Sequence, residues 1–197
     1  MMSLTVFFLF AAMNLLAPNL TQAGDDFGMD EKEKDEKLGG WLSIGFFIMG
    51  APAALFCGYL CDVMKRTHLM GWVVILGSIA NACTYWIVTF NELLICRIFS
   101  GIAIGGSIPV IYSMLGDLYP ADRRNYPATI VGLFYSGGAS VGQLFAGEVG
   151  GEDEYGWKAP FLMVAAPTII IGAVFAFTVQ EPRRGESELG LQDTVLH

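Results

Sequence analysis

One arginine interrupts an otherwise uncharged and apolar stretch of the chain. Arg97 lies within Leu93–Gly116, a run long enough to cross a lipid bilayer as a helix. A charge at membrane depth costs about 3 kcal/mol on insertion scales, and such residues usually serve function. The position therefore predicts a functional guanidinium. The alternative is that Arg97, near one end of the run, extends its long side chain to the membrane surface.

Three uncharged polar residues also fall inside apolar stretches. Asn14, Asn81 and Tyr85 are our candidates for residues that line a solute cavity. Asn81 and Tyr85 are four residues apart, so their side chains would share one face of a helix. The alternative for this pair is that the two side chains bond to each other or to backbone groups.

Sequence patterns typical of enzymes and metal sites are absent. There is no HExxH, no nucleophile elbow, and no phosphate-binding glycine loop followed by Lys-Ser or Lys-Thr. The four cysteines lie in apolar stretches with only two histidines in the chain, so we interpret the cysteines as packing residues. A net charge of −8 argues against nucleic acid as a partner. We expect no catalytic residues, no metal and no cofactor.

Six apolar stretches dominate the chain, of which 54% is hydrophobic and 15% charged. A soluble domain typically carries about 25% charged residues. As helices these stretches can cross a bilayer, whereas open strands would leave backbone groups unpaired in lipid. The sequence therefore predicts an all-α, multi-pass integral membrane protein, a bundle of six transmembrane helices. The stretches are Leu4–Gln22, Leu38–Cys61, Leu69–Thr89, Leu93–Gly116, Tyr126–Gly147 and Ala159–Val179.

The polar segments between the apolar stretches predict the organisation and the orientation. Residues 1–23 form the first transmembrane helix, residues 24–37 an acidic extracytoplasmic loop or short surface helix, and residues 38–179 helices two to six. Residues 180–197 form a cytoplasmic polar tail or the start of a central linker. Basic pairs after helices two, four and six predict that these three segments, and both termini, are cytoplasmic. A signal peptide is the alternative for the first stretch, but its start lacks basic residues.

Small residues recur at helical spacing in three of the stretches. Glycine lets helix backbones approach closely in lipid, so such positions predict helix contacts. The packing candidates are Gly50, Gly101, Gly105, Gly138 and Gly142.

The end of the second stretch resembles the signature G-x-L-a-D-r-x-G-r-k of the major facilitator superfamily. The matching residues are Gly58, Leu60, Asp62 and Arg66, and the departures are Val63, Lys65 and Thr67. The resemblance implies a cytoplasmic gate in which Asp62 helps to hold an outward-facing state. The alternative is an ordinary interfacial ion pair between Asp62 and Arg66, which is worth less than about 1 kcal/mol.

The fourth stretch resembles the fourth helix of the same superfamily, R-x-x-x-G-x-x-x-G-G. Arg97 starts this phrase and Gly101 and Gly105 follow it. The resemblance implies that Arg97 takes part in ion coupling or in binding a substrate anion. It also implies that Asp117, with Arg123 or Arg124, belongs to the cytoplasmic charge cluster that meets the Asp62 loop.

Two further phrases resemble the spinster-like branch of the superfamily. They are Asn14–Thr21 in the first stretch and E-P-x-R-G starting at Glu181 after the sixth. The phrase Gly105–Val110 is equally similar to the sugar-porter and organic-ion branches.

The resemblance covers helices one to six, the N-terminal half of a twelve-helix transporter. In this superfamily the solute lies between two six-helix halves and access alternates as they rock. The resemblance implies a secondary active transporter for a small organic or lipid-like solute. The expected partners are the lipid bilayer, the solute and a second six-helix half, encoded downstream or on another chain. The alternative function is a non-transporting membrane scaffold or a regulatory half-transporter.

Overall fold

The computed structural model describes residues 1–151, 155–182 and 184, and within these residues all regular structure is helical. A 3₁₀ turn, Ala17–Asn19, precedes the helix that begins at Leu20, and a second 3₁₀ turn, Thr84–Trp86, follows the helix that ends at Cys83. A π-helical segment, Lys34–Trp41, leads into the helix that begins at Leu42. The helices are α1 (Met2–Met13), α2 (Leu20–Asp26), α3 (Glu31–Glu33), α4 (Leu42–Val63), α5 (Arg66–Cys83), α6 (Phe90–Leu118), α7 (Asn125–Val149) and α8 (Ala159–Thr178).

Within the described residues, five helical segments are long and apolar enough to cross a membrane. They are Met2–Asp26, Glu31–Val63, Arg66–Trp86, Phe90–Leu118 and Ala159–Thr178. The remaining long helix, α7, has 25 residues. It is long enough to span, but its glycines and polar residues lower its hydropathy. The arrangement agrees with the predicted bundle of six spans.

The first span, which the sequence predicted over Leu4–Gln22, consists of two helices joined by a 3₁₀ turn. The α-helical backbone ends at Met13, and Asn14 takes φ −96° and ψ 10°. The Asn14 side chain closes the helix by donating from Nδ2 to the Phe10 carbonyl oxygen at 3.0 Å. Pro18, which has no N–H to donate, lies in the 3₁₀ turn that follows.

The acidic segment between the first two spans is largely helical. Helix α2 extends to Asp26 and the π-helical segment begins at Lys34. The segment forms the surface helix that was one of the two sequence expectations. Ion pairs support it, because Lys34 Nζ lies 2.7 Å from Asp25 Oδ1 and 2.7 Å from Glu31 Oε1.

Helix α4 packs against α6 with backbone on backbone. A Cβ atom added to Gly50 would lie 3.0 Å from the Gly101 carbonyl oxygen. One added to Gly101 would overlap the Phe46 carbonyl, and one added to Gly105 would overlap the Gly50 carbonyl. Only glycine permits this approach, which explains why small residues recur on both helices. Gly58 is different, since its added Cβ would make an ordinary contact of 3.9 Å with Pro109.

Helix α7 packs against α1 in the same way. Cβ atoms added to Gly138 and Gly142 would overlap the carbonyl oxygens of Phe7 and Ala11. Helix α5 lies between α6 and α8 and contacts both, whereas α6 and α7 hardly touch. Helices α6 and α7 therefore leave a space between them, beside α1.

The buried apolar residues form two separate clusters along the span direction. We call the cluster that contains Phe10, Met70 and Phe175 the inner cluster, and the one that contains Leu15, Trp157 and Phe161 the outer cluster. Here and below, inner and outer name the two ends of the bundle. The break in the first span falls between Phe10 and Leu15, where one cluster gives way to the other.

Candidate functional site

Arg97 lies inside the bundle, two turns from the start of α6. Its residue exposure is 5%. The guanidinium carbon lies 4.7 Å from the centroid of the Phe161 ring of α8, a cation–π contact. Among the described residues, nothing hydrogen-bonds to its Nε and Nη2 atoms. Protein atoms therefore cover the Arg97 side chain, and its Nε and Nη2 atoms have no acceptors among the described residues.

A chain of aromatic rings supports the ring beneath Arg97. Phe161 and Trp157 lie edge to face with their centroids 6.2 Å apart. The indole Nε1 of Trp157 donates to Asp26 Oδ2 at 2.7 Å, and Lys158 Nζ lies 3.7 Å from the same oxygen. These contacts fix the outer end of the first span to the start of α8.

Arg97 lines an apolar cavity of about 190 Å³ on the outer side of the break in the first span. The walls come from the first span, the π-helical segment and α4. Arg97 is the one charged residue among the lining residues in the described part of the chain. The others are Met13, Leu16, Ala17, Leu20, Leu38, Leu42, Ser43, Phe46 and Phe47.

A second cavity of about 310 Å³ occupies the space between α1, α6 and α7 on the inner side. Phe10 and Tyr135 meet across it with ring centroids 4.0 Å apart. Tyr112 and Ser136 add hydroxyl groups to otherwise apolar walls. Sequence reasoning missed these residues, because tyrosine and serine are unremarkable in a membrane helix until its open face is known.

The predicted cavity residues lie in different places. Asn14 lies at the break in the first span, where its Oδ1 accepts a hydrogen bond of 3.2 Å from Gln143 Nε2. Asn81 is 3% exposed and donates to the Gly77 carbonyl oxygen at 3.1 Å, while Tyr85 is 41% exposed. Neither Asn81 nor Tyr85 lines either of the two cavities, and the role of the pair stays a prediction.

A buried charge cluster joins the inner ends of three helices. Arg66, at the start of α5, is 3% exposed. Its Nη1 atom pairs with Asp117 Oδ2 at the end of α6 and donates to Ser113 Oγ at 3.0 Å. Its Nε atom lies 3.1 Å from Oε1 of Glu181, which follows α8. We call Arg66, Asp117 and Glu181 the inner charge cluster.

Glu181 accepts hydrogen bonds from the first turn of α5 as well as from the Arg66 side chain. The backbone N–H groups of Arg66 and Thr67 donate to it at 3.1 and 2.9 Å, and the Thr67 hydroxyl donates at 3.0 Å. Partial burial alone would raise the pKa of Glu181. The hydrogen bonds that Arg66 and Thr67 donate to the carboxylate outweigh this effect of burial, so that the pKa of Glu181 lies below its ordinary value.

The other predicted gate residues lie around this cluster. Asp62 is exposed at the end of α4. Arg124 donates to the carbonyl oxygens of Gly116 at 2.7 Å and Tyr119 at 2.8 Å, which closes the end of α6. The side chain of Arg123 is 80% exposed. Of the predicted gate set, the structure therefore brings Arg66 and Asp117 into direct contact.

Glu181 was not predicted as a partner of Arg66. One signal for it existed, since Glu181 follows the sixth span on the side predicted to hold Arg66. No cluster of three or more potential metal ligands occurs among the described residues.

Residues 2–194 match the family model of the Major Facilitator Superfamily. The chain belongs to this superfamily. Among its curated relatives is the aminotriazole resistance protein of Saccharomyces cerevisiae, 30% identical over 142 residues, which cover 70% of this chain and 25% of the yeast protein. The niacin transporter NiaP of Acinetobacter baylyi is 29% identical over 133 residues, covering 67% of this chain and 30% of NiaP. The chain thus spans less than a third of either relative.

A solved structure has the same fold. The crystal structure of a bacterial homologue of the human lysosomal transporter Spinster, inward-facing and occupied, superposes with a TM-score of 0.81 at 22% sequence identity. The match covers 95% of this chain and 45% of that chain. The superposition confirms the predicted all-α membrane fold and the predicted structural likeness to spinster-like proteins.

Proposed function

We propose that this chain forms one six-helix half of a secondary active transporter that moves a small organic anion by alternating access. Arg97 carries the proposal. It is a buried cation with two unsatisfied donors in the wall of a cavity whose other lining residues are uncharged and, apart from Ser43, apolar. Burying an unpaired charge costs several kcal/mol, so a chain that keeps one at membrane depth has a use for its charge.

The shape of the guanidinium favours a carboxylate. Nε and Nη2 lie on the same edge of the group, and parallel donors of this kind bind the two oxygens of a carboxylate together. The uncharged walls of the cavity favour a solute that carries no charge besides its carboxylate. The relative NiaP is named as a transporter of niacin, an aromatic carboxylic acid. An aromatic monocarboxylate is therefore the solute class that we propose.

The second half of the transporter is part of the proposal. Ser136, Ser140 and Gln143 are exposed along α7 at membrane depth. Lipid offers these polar groups no hydrogen bonds, so the face suits a water-filled cavity between two halves. The chain covers 45% of the solved neighbour, as one of two halves would.

The inner charge cluster is our candidate for the cytoplasmic gate, with Asp62, Arg123 and Arg124 at its edge. This assignment sets the topology, with both termini and the loops after α4 and α6 in the cytoplasm. Lys65, Arg123 and Arg124 in those loops satisfy the preference of basic residues for that side.

Anion binding tests the function. The purified chain in lipid nanodiscs is titrated with radiolabelled nicotinate and benzoate. We expect saturable binding, weakened at least about tenfold by Arg97→Gln because the carboxylate loses its charged partner. Lys32→Gln, which removes an exposed outer charge, serves as the control and keeps the affinity.

A chain that binds neither acid, or binds both equally well without Arg97, would contradict the proposal. The scaffold alternative makes a different prediction. A scaffold gives no saturable uptake into proteoliposomes even when a second half is present.

A further inference from the structure

Two amide side chains meet at membrane depth where α1 ends. Gln143 of α7 donates from Nε2 to Oδ1 of Asn14 at 3.2 Å. Asn14 donates its own N–H to the Phe10 carbonyl, so its amide is committed to closing α1. Among the described residues, the bond to Asn14 is the only one that the Gln143 side chain makes. Gln143 therefore keeps one N–H and its Oε1 oxygen available.

The exposure of this amide needs an explanation. Gln143 is exposed although it lies within a membrane helix, and Ser136 and Ser140 lie along the same face of α7. An amide that faces hydrocarbon without partners loses several kcal/mol relative to water. The face therefore meets water or a ligand that bonds to it.

The amide pair lies between the two cavities. Phe10, one turn before Asn14, lines the inner cavity, and Ala17, about one turn after it, lines the outer cavity with Arg97. A solute whose charge is held by Arg97 would therefore pass or contact the pair on its way along α1.

We propose that Gln143, positioned by Asn14, binds a polar ring group of the solute whose carboxylate binds Arg97. This inference rests on the proposed function, because it requires Arg97 to hold the anion. The Oε1 atom accepts from a ring hydroxyl, and the remaining N–H donates to a hydroxyl or a ring nitrogen. The solutes are thus aromatic carboxylates with a second, uncharged polar group, and unsubstituted benzoate lacks this group.

Dissociation constants of the full chain in nanodiscs test this assignment. The probes are benzoate, nicotinate and the three monohydroxybenzoates. We expect at least one substituted acid to bind about fivefold more tightly than benzoate, as one neutral hydrogen bond provides. In Gln143→Met, a change to a side chain of similar length without donors or acceptors, the ratio falls to about one. Gln22→Met, the same change on α2 outside both cavities, keeps the full ratio.

A second variant guards against misfolding. Gln143→Asn keeps the amide but is one methylene shorter, so that its ratio also falls. If the ratio persists in both variants, or if no substituted acid exceeds benzoate in the parent chain, the role of Gln143 is overturned and the anion site stands. If no acid binds at all, the proposed function is overturned, and the role of Gln143 with it.

Discussion

Arg66 lies where the inner ends of α5, α6 and the segment after α8 meet. It contacts two carboxylates, Asp117 and Glu181, and the Ser113 side chain. A buried ion pair of this kind contributes little net stability. Removing one partner, however, leaves the other charge buried and unpaired, so that its desolvation cost is no longer offset. The inner charge cluster is therefore sensitive to single substitutions and to protonation.

Protonation of Glu181 should loosen the cluster. Its pKa is lower in the folded chain than in the unfolded chain, so its stabilising contribution is complete above its ordinary value of about 4.3. The contribution is lost as the pH falls through the lower, folded value. We expect the thermal unfolding temperature of the chain in detergent to decrease over this acidic range. Glu181→Gln should lower the unfolding free energy by about 2 kcal/mol at pH 7 and flatten part of the acid dependence.

The control is Glu148→Gln, which changes an exposed carboxylate on α7. An acid profile of Glu181→Gln that is identical to that of the parent chain would show that Glu181 does not carry the effect.

The sequence predicted only some of the residues that take part in the candidate site. Arg97 stood out because a charge in an apolar run has a high cost. Phe161 and Gln143 did not, because an aromatic ring or an amide in a membrane helix is common and only the packing of α8 and α7 shows what it touches. The pairing of Arg66 with Glu181 joins positions 115 apart in sequence, and no local pattern encodes it.

At the scale of elements, glycine determines which helices can lie backbone to backbone. Gly50, Gly101 and Gly105 occupy the α4–α6 contact, and Gly138 and Gly142 the α1–α7 contact. Hydropathy predicted the helices themselves, since apolar length decides which segments span. It did not predict the break after Met13, which depends on the Asn14 side chain closing the helix and on Pro18 beyond it.

A pair of Gly→Ala substitutions separates packing from helix propensity. In Gly101→Ala the new methyl group overlaps the Phe46 carbonyl, and α4 must move away from α6. We expect the unfolding free energy to fall by about 2 kcal/mol. Gly132→Ala adds a methyl group where nothing lies within 4 Å. There alanine should stabilise the helix by up to about 1 kcal/mol. Chemical denaturation in mixed micelles measures both, and equal effects would contradict the close α4–α6 contact.

At the scale of the whole molecule, the connections that follow odd-numbered spans lie at one end of the bundle, and those that follow even-numbered spans lie at the other end. The inner charge cluster joins the start of α5, the end of α6 and the segment after α8. The Asp26–Trp157–Lys158 contacts lie at the other end, near the starts of α6 and α8. Which end faces the cytoplasm follows from the basic residues alone and is part of the proposed function.

Cysteine labelling tests this orientation. Single cysteines replace Lys65, Arg123 and Lys32, all exposed, in a chain whose four native cysteines are changed to serine or alanine. In intact cells, we expect a membrane-impermeant maleimide to label position 32 only, because the proposed topology puts positions 65 and 123 in the cytoplasm. Permeabilised cells, in which all three positions should react, provide the control. Labelling of positions 32 and 65 from the same side would rule out the alternating path of the chain.

The two apolar clusters share no residue, and the chain that connects them along α1 is interrupted at Asn14. Packing within one layer can therefore loosen in part without the other layer, although α4 and α6 run unbroken through both. A molecule that travels beside α1 would leave one packed layer and enter the next at the interruption. We expect amide hydrogens of the first span to exchange at different rates on the two sides of Asn14.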